Sequence, residues 1–278
     1  MKIRYLGTAA AEGWPAVFCN CEYCKKAKEA GGKNLRTRSQ AIIDDELLLD
    51  FPADTYAHIL KNKLDFSAVK YCFITHSHLD HFMPMDLFFR DENYYAHNFT
   101  QPTLEFFGNE RVKARFDRFI GEEDSERFPQ GVSFKVIKKF EKIKVGKYTL
   151  TPLPAYHAEG ENAFVYLIES EGKRILYLHD TGIPKEEFFK YFEENPVRCD
   201  LISYDCTYGA IRSGGGHMGL DSVPELRKRF EEMGISDEKT VSVVNHFSHN
   251  GQLIHDELEK AAAKLGFLTA YDGAEIEV

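Results

Sequence analysis

Four residues of types that bind metals are concentrated in one six-residue segment of the sequence, at His76, His78, Asp80 and His81. Imidazole and carboxylate groups are the ligands that borderline divalent cations prefer in proteins. The segment follows a β-type run, Val69–Thr75, so a turn after His78 could direct Asp80 and His81 towards a second ion. A polar loop of hydrogen-bonded histidines is the alternative, and the dense spacing argues against it.

Three more potential ligands each follow a strand-like run elsewhere in the sequence. They are His157, Asp180 and His246. Taken alone, each residue is more typical of a cap or of a hydrogen-bonding group in the core. Catalytic groups in layered α/β folds, however, lie just beyond strand ends, where loops converge. Together with the histidine-rich segment, they predict one site of seven metal ligands.

A cysteine cluster near the N-terminus predicts a separate metal site. Cys19, Cys21 and Cys24 lie within six positions, and the first two are too close for a relaxed disulfide. Three thiolates and one imidazole would complete a closed tetrahedral zinc site. His249, three residues after His246, is the best candidate for the fourth ligand. The alternative is three unrelated thiols.

The order of these ligands resembles that of the metallo-β-lactamase superfamily. The matching motif is His-x-His-x-Asp-His, followed at a distance by His, Asp and His. The resemblance implies a four-layer αββα sandwich with two divalent catalytic ions, zinc or manganese, at one edge. It assigns one ion to His76, His78 and His157, and the other to Asp80, His81 and His246, with Asp180 bridging them. Two such ions could share a hydroxide that attacks a phosphate ester.

The cysteine motif and the terminal His-x-x-His narrow this resemblance to the phosphodiesterases of the carbon–phosphorus lyase pathway. That family opens 5-phosphoribosyl 1,2-cyclic phosphate, and its pattern implies a structural zinc at Cys19, Cys21, Cys24 and His249. We therefore expect a metal-dependent phosphodiesterase for a small, cyclic phosphate ester. Two alternatives stay open. One is a nuclease resembling the tRNA 3′-endonucleases. The other is a non-catalytic or carrier protein resembling pyrroloquinoline quinone biosynthesis protein B.

Secondary candidates surround this predicted site. His217 lies in the glycine-rich segment Gly214–Gly219, and the resemblance implies that it contacts substrate and protonates the leaving oxygen. With Asp80, it completes the predicted catalytic pair. Asp50 could orient a ligand histidine or simply cap a strand end. Candidate phosphate contacts are Arg36, Arg38 and Arg212. Histidines not expected to bind metal are His58, His97, His179 and His255.

The elements that must position these residues are short strands with helices between them. Ala41–Ile43 and Leu47–Leu49 predict a hairpin, and Ser222–Glu225 predicts a capping box for a helix ending at Met233. With 278 residues, 43% of them hydrophobic, and no linker or repeat, a single domain over residues 1–278 is the simplest organisation.

Charge and hydropathy restrict the class of partner. The formal net charge of −9 disfavours nucleic acid, although a small phosphorylated substrate could still bind at metal ions or at a local basic cluster. No apolar run is long enough for a membrane span. The N-terminal residues do not form a signal peptide, so we expect a cytoplasmic protein with reduced cysteines. A homodimer is compatible with the sequence.

Overall fold

A computed structural model of the chain, which describes residues 1–121 and 131–278, contains two seven-stranded sheets packed face to face. The first sheet contains β1 (Lys2–Gly7), β2 (Gln40–Ile43), β3 (Leu47–Leu49), β4 (Tyr71–Phe73), β5 (Leu104–Gly108), β6 (Val132–Val136) and, at the C-terminus, β14 (Ala274–Glu277). The second contains β7 (Ile143–Val145), β8 (Tyr148–Pro154), β9 (Phe164–Ser170), β10 (Lys173–Leu178), β11 (Leu201–Asp205), β12 (Val241–Asn245) and β13 (Leu268–Thr269).

Each sheet changes from antiparallel to parallel pairing along its strand order. The first sheet has the order β14-β1-β2-β3-β4-β5-β6, and it is parallel from β3 to β6. The second has the order β13-β12-β11-β10-β9-β8-β7, and it is parallel from β10 to β13. The carboxyl ends of neighbouring parallel strands meet at one edge of a sheet, so the loops that follow them converge there.

Helices cover the outer faces of both sheets. They are α1 (Glu22–Ala30), α2 (Thr55–Asn62), α3 (Glu110–Gly121), α4 (Glu186–Glu194), α5 (Val223–Glu232) and α6 (His255–Lys264). One apolar cluster lies between the two sheets. A second lies between α1, α4, α5, α6 and the second sheet, and a third lies between α3 and the first sheet. These layers confirm the predicted αββα sandwich.

Strand β9 explains why the sheets carry long apolar runs instead of alternating polar residues. Phe164, Tyr166 and Ile168 face the other sheet, whereas Val165 and Leu167 face the helices. Both faces are therefore buried, which favours apolar side chains at every position. The Tyr166 hydroxyl also donates to the carbonyl oxygen of Ile74, 2.7 Å away, and so connects the two sheets directly beneath the histidine-rich segment.

The structure differs from the sequence prediction in several local details. The β-type run at Val69–Thr75 shortens to Tyr71–Phe73, because the chain turns away from the sheet just before the histidines. The prediction of a capping box at Ser222–Glu225 was wrong. The Ser222 side chain makes no cap hydrogen bond to the helix, and its hydroxyl interacts with the backbone of Gly219 instead.

Candidate metal centre and active site

A first group of potential ligands brings together three of the predicted histidines and Asp180. Nε2 of His76 and Nε2 of His157 lie 2.9 and 3.2 Å from Nδ1 of His78. The same two Nε2 atoms each lie 3.3 Å from Oδ2 of Asp180. Ligand atoms bound to one tetrahedral ion at about 2.0–2.1 Å are separated by roughly 3.3–3.4 Å, so these four atoms could hold one divalent cation.

A second group lies beside the first and consists entirely of buried residues. Nε2 of His81 lies 3.2 Å from Oδ2 of Asp80 and 3.2 Å from Oδ2 of Asp180. Nε2 of His246 lies 3.4 Å from Nε2 of His81 and 3.8 Å from Oδ2 of Asp180. This nitrogen and carboxylate set also suits a borderline divalent cation.

The electrostatics of the two groups centre on Asp180, whose Oδ2 belongs to both. Burial would raise the pKa of Asp180, but His246 and hydrogen bonds with neighbouring histidines hold it well below the usual range. Burial lowers the pKa of His157 to about 4, which keeps its ring neutral and a lone pair available. An ionised carboxylate and neutral imidazoles are the states that bind metal. The donor set therefore fits metal ions.

Asp50 holds the end of the first sheet and the ring of His81 together. Its Oδ1 accepts hydrogen bonds from the backbone N–H and hydroxyl of Thr75, at 2.8 and 2.9 Å. Its Oδ2 lies 2.7 Å from Nδ1 of His81. The two roles that the sequence left open for Asp50 thus occur in one carboxylate. With Nδ1 engaged, Nε2 of His81 is the ring nitrogen directed at Asp80 and Asp180.

The backbone at the strand ends turns the side chains into the site. Asp50, Asp180 and His246 have φ angles of 66°, 57° and 63°, in the left-handed region that non-glycine residues rarely adopt. Such conformations persist where surrounding contacts hold them, and they occur often at functional sites. Each of the three residues directly or almost directly follows a strand, so one change in backbone direction points its side chain away from the sheet.

His217 approaches the first group from the glycine-rich segment. Its Nδ1 lies 3.0 Å from Oδ1 of Asp180 and 3.3 Å from Oδ2 of Asp205. Burial would lower the pKa of His217, but hydrogen bonds with these two carboxylates raise it to about 11. This result differs from the near-neutral pKa expected from sequence. It favours a cationic ring. Gly216 permits the approach, since a Cβ there would lie 2.9 Å from Nδ1 of His157.

Asp205 is a site residue that the sequence reasoning missed. It is fully buried at the end of β11, and its Oδ2 lies 3.4 Å from Nδ1 of His246 as well as close to His217. The signal that could have found it is its position, because it ends the apolar run Leu201–Tyr204 just as Asp180 follows its own strand.

The three cysteines lie together with His249, as the spacing predicted. Nδ1 of His249 lies 3.5 Å from Sγ of Cys21 and 3.8 Å from Sγ of Cys19. Zinc–ligand bonds of about 2.3 Å to sulfur and 2.0–2.1 Å to nitrogen imply separations of roughly 3.6–3.8 Å. Burial opposes ionisation of Cys21, but hydrogen bonds from the Cys24 backbone, Cys19 and His249 lower its pKa to about 6. This group could hold a third ion.

Glu12 lies beside the cysteine group and also lines the cavity at the two histidine groups. Its Oε1 lies 3.6 Å from Nε2 of His249 and accepts a hydrogen bond from Ser248 at 2.5 Å. Glu12 also lines a cavity of about 360 Å³ that exposes His78, His157 and His217. This volume is within the range of pockets that bind small ligands. A compact substrate could therefore contact both histidine groups at once.

The secondary candidates have different positions. The candidate role of Arg36 as a phosphate contact was wrong, because its buried guanidinium donates to Thr8 and to the carbonyl oxygen of Ala270. Arg38 pairs with Asp54, and Arg212 is exposed. Four histidines were not expected to bind metal, and each lies outside the ligand groups found among the described residues. They are His58, His97, His179 and His255.

Comparisons with known proteins agree with this fold and arrangement. A family model described as a β-lactamase superfamily domain matches residues 48–241. The chain therefore belongs to the β-lactamase superfamily. A search of curated proteins finds no match. No helix in residues 1–121 and 131–278 has the length and apolarity needed to cross a membrane.

Solved structures with the same fold cover the whole chain at low sequence identity. Zn²⁺-bound PqqB from Methylobacterium extorquens has a TM-score of 0.75 and 19% identity, with 100% of each chain covered. A diphosphatase from the PhnP family has a TM-score of 0.74 and 19% identity, covering 100% of this chain and 97% of its own. The short form of human tRNase Z has a TM-score of 0.63 and 17% identity, covering 100% and 99%. At these low sequence identities, the similarity shows a shared fold and does not by itself show a shared activity.

Proposed function

We propose that this protein is a metal-dependent phosphodiesterase that hydrolyses a small, cyclic phosphate ester. The observation that carries the proposal is the position of Asp180 Oδ2, within 3.3 Å of ligand atoms from both histidine groups. A carboxylate shared in this way can bridge a pair of adjacent ions. Such a pair would supply a hydroxide nucleophile near neutral pH and would stabilise charge on phosphoryl oxygens.

The ligands of each ion follow from the groups described above. His76, His78, His157 and Asp180 would hold one catalytic ion, and Asp80, His81, Asp180 and His246 the other. Cys19, Cys21, Cys24 and His249 would hold a structural zinc, since four protein ligands leave no position for substrate. The catalytic ions are zinc or manganese, both of which accept imidazole and carboxylate ligands.

The protein's own residues orient the substrate and supply a proton. His217 lines the cavity, and the carboxylates of Asp180 and Asp205 engage its Nδ1. Its Nε2 is then the atom that donates a proton to the leaving alkoxide oxygen. Similarity to a structure described as a diphosphatase supports phosphate as the reacting group. The cavity of about 360 Å³ and the net charge of −9 favour a small substrate over tRNA.

Metal analysis combined with a substrate panel tests this proposal. Purified protein should contain more than two equivalents of divalent metal, and it should hydrolyse cyclic phosphates in preference to lactones or tRNA precursors. Asp80→Ala should lose about one equivalent and at least roughly 100-fold in rate, because one activating ion is removed. Asp86→Ala removes a carboxylate outside the ligand groups, and it should retain the full metal content and the wild-type rate. Folded protein with almost no metal would contradict the proposal.

A further inference from the structure

The two loops that carry the histidines of the first group meet at Glu161. One loop contains His76 and His78, and the other runs from the end of β8 through His157 to the start of β9. Glu161 lies in the second loop, four residues after His157, and its partly buried side chain contacts the first loop. A contact at this point can fix the spacing of ligands that are distant in the sequence.

Both carboxylate oxygens of Glu161 accept hydrogen bonds from Ser77, the residue between His76 and His78. Oε1 accepts from the backbone N–H at 2.7 Å, and Oε2 accepts from the hydroxyl, also at 2.7 Å. Ser77 is buried, so its backbone N–H would be costly to leave without a partner. The two hydrogen bonds together fix the backbone between the two histidines.

Asn109 holds the carboxylate of Glu161 from the other side. This fully buried side chain donates from Nδ2 to Oε1 of Glu161 at 2.8 Å and to the carbonyl oxygen of Asn162 at 2.7 Å. Its Oδ1 accepts hydrogen bonds from two backbone N–H groups in the first turn of α3, both at 2.9 Å. Glu161 is therefore attached to the start of a helix as well as to the loop of Ser77.

The ligands of the second group have supports that do not involve Glu161. Oδ2 of Asp50 lies 2.7 Å from Nδ1 of His81, and Oδ2 of Asp205 lies 3.4 Å from Nδ1 of His246. The backbone N–H of Phe51 also donates to the carbonyl oxygen of His81, at 2.8 Å. Carboxylates thus orient these two rings directly.

The rings of the first group lack such carboxylates. Oγ1 of Thr75 lies 3.0 Å from Nδ1 of His76 and can orient that ring. Within residues 1–121 and 131–278, no carboxylate other than the shared Asp180 lies at ion-pair distance from a histidine of this group. The positions of these rings therefore depend on the backbone of the two loops, which Glu161 connects.

We propose that Glu161 is a positioning residue for the first ion. This inference rests on the metal centre of the proposed function. The carboxylate holds the backbone of Ser77 against the loop of His157, so the ligand atoms are already arranged before an ion binds. Ligands held in place lose less conformational freedom on binding. Residues that support metal ligands are typically worth about 10–100-fold in metal affinity.

Titration with Mn²⁺ tests the inference in two variants that each retain one catalytic ion. Asp80→Ala should keep the first ion, and His157→Ala should keep the second. Mn²⁺ is the probe because the thiolate group prefers zinc. Adding Glu161→Ala should weaken Mn²⁺ binding, followed by electron paramagnetic resonance, at least about tenfold in Asp80→Ala and less than about threefold in His157→Ala. Equal weakening in both variants, or none in Asp80→Ala, overturns the inference.

Glu159→Ala is the matched control, because it removes an exposed carboxylate from the same loop. It should leave both dissociation constants unchanged. Ser77→Ala removes only the hydroxyl that donates to Glu161, and it should weaken binding of the first ion about threefold. If Glu161→Ala does not fold, an unchanged dissociation constant in Ser77→Ala overturns the inference.

Glu161→Gln separates positioning from charge. Its amide oxygen can accept from the backbone N–H of Ser77, and its amide nitrogen can donate to the Ser77 hydroxyl, so the contact is kept while the charge is lost. In the Asp80→Ala variant, Glu161→Gln should bind Mn²⁺ within about threefold of the parent. A loss as large as that of Glu161→Ala would show an effect of charge and would overturn the positioning role.

Metal binding and hydrolysis are measured separately, so this inference and the proposed function can fail independently. Protein whose first ion depends on Glu161 but which hydrolyses no phosphodiester would contradict the proposed function and support the inference. Protein that hydrolyses a cyclic phosphate, with Mn²⁺ binding unaffected by Glu161→Ala, would do the reverse. Folded protein that binds no catalytic ion would overturn both.

Discussion

Oδ2 of Asp205 lies 3.3 Å from Nδ1 of His217, and the same oxygen lies 3.4 Å from Nδ1 of His246. One buried carboxylate therefore contacts both a predicted proton donor and a predicted metal ligand. Its Oδ1 meanwhile accepts hydrogen bonds from the backbone N–H groups of Thr207 and Met218, at 3.1 and 3.0 Å. Asp205 thus positions two rings relative to each other and to the loop between them.

Asp205→Asn should lower kcat/KM by about 10–100-fold. This is the usual cost of removing a residue that orients a metal ligand without itself binding the metal. The amide oxygen can still accept the two backbone hydrogen bonds, but the negative charge beside His217 and His246 is lost. Steady-state kinetics and metal analysis of the variant test this expectation. Asp237→Asn, a change far from the ligand groups, should behave like the wild type. Wild-type kinetics in Asp205→Asn would contradict the positioning role.

His217→Ala should cause a loss that depends on the leaving group. Alkyl esters, whose leaving alkoxide needs a proton, should lose about 100-fold or more, whereas nitrophenyl esters should lose much less. The two rates are compared on the same preparations, with the exposed His97→Ala as the control. Equal losses for both ester types would indicate that His217 binds substrate without donating a proton.

Cys21→Ser should release about one equivalent of zinc and lower the melting temperature, because a closed site contributes folding energy. The catalytic ions should remain, so the activity of the folded fraction should fall only modestly. Cys199→Ser changes a fully buried thiol in the core behind the second sheet, and it should lower stability without zinc loss. A Cys21→Ser protein with full zinc content would remove the basis for this site.

His58 should make the protein less stable as the pH falls from about 6.5 towards 4. Burial lowers the pKa of His58 to about 4, whereas the unfolded chain has a value of about 6.5. The unfolded state therefore binds more protons in this interval, so the free energy of unfolding decreases with falling pH.

Between pH 7 and pH 5, His58 should account for a decrease of about 2 kcal/mol in the free energy of unfolding. It should be absent in His58→Gln, which retains a polar side chain beside Gln40 and Thr37. Urea unfolding at both pH values measures it, and the exposed His97→Gln is the control. An equal pH dependence in His58→Gln and the wild type would show that His58 is not the group responsible.

The ligand types and their order along the chain were already present in the sequence. The segment His76–His81 needs no tertiary structure to suggest a metal site, because four ligand groups lie within reach of one loop. The cysteine spacing is informative for the same reason. The hairpin strands predicted at Ala41–Ile43 and Leu47–Leu49 also followed from apolar runs and turn residues, since these are local properties of the chain.

The tertiary structure decided what depends on contacts between distant segments. Asp205 and His246 come together only because β11 pairs with β12 in parallel, so that the two strand ends meet at one edge. Arg36 looked like a phosphate ligand in the sequence, but packing buries it away from the cavity. Spacing in the sequence carries no information on such distances, which are set by the packing of whole layers.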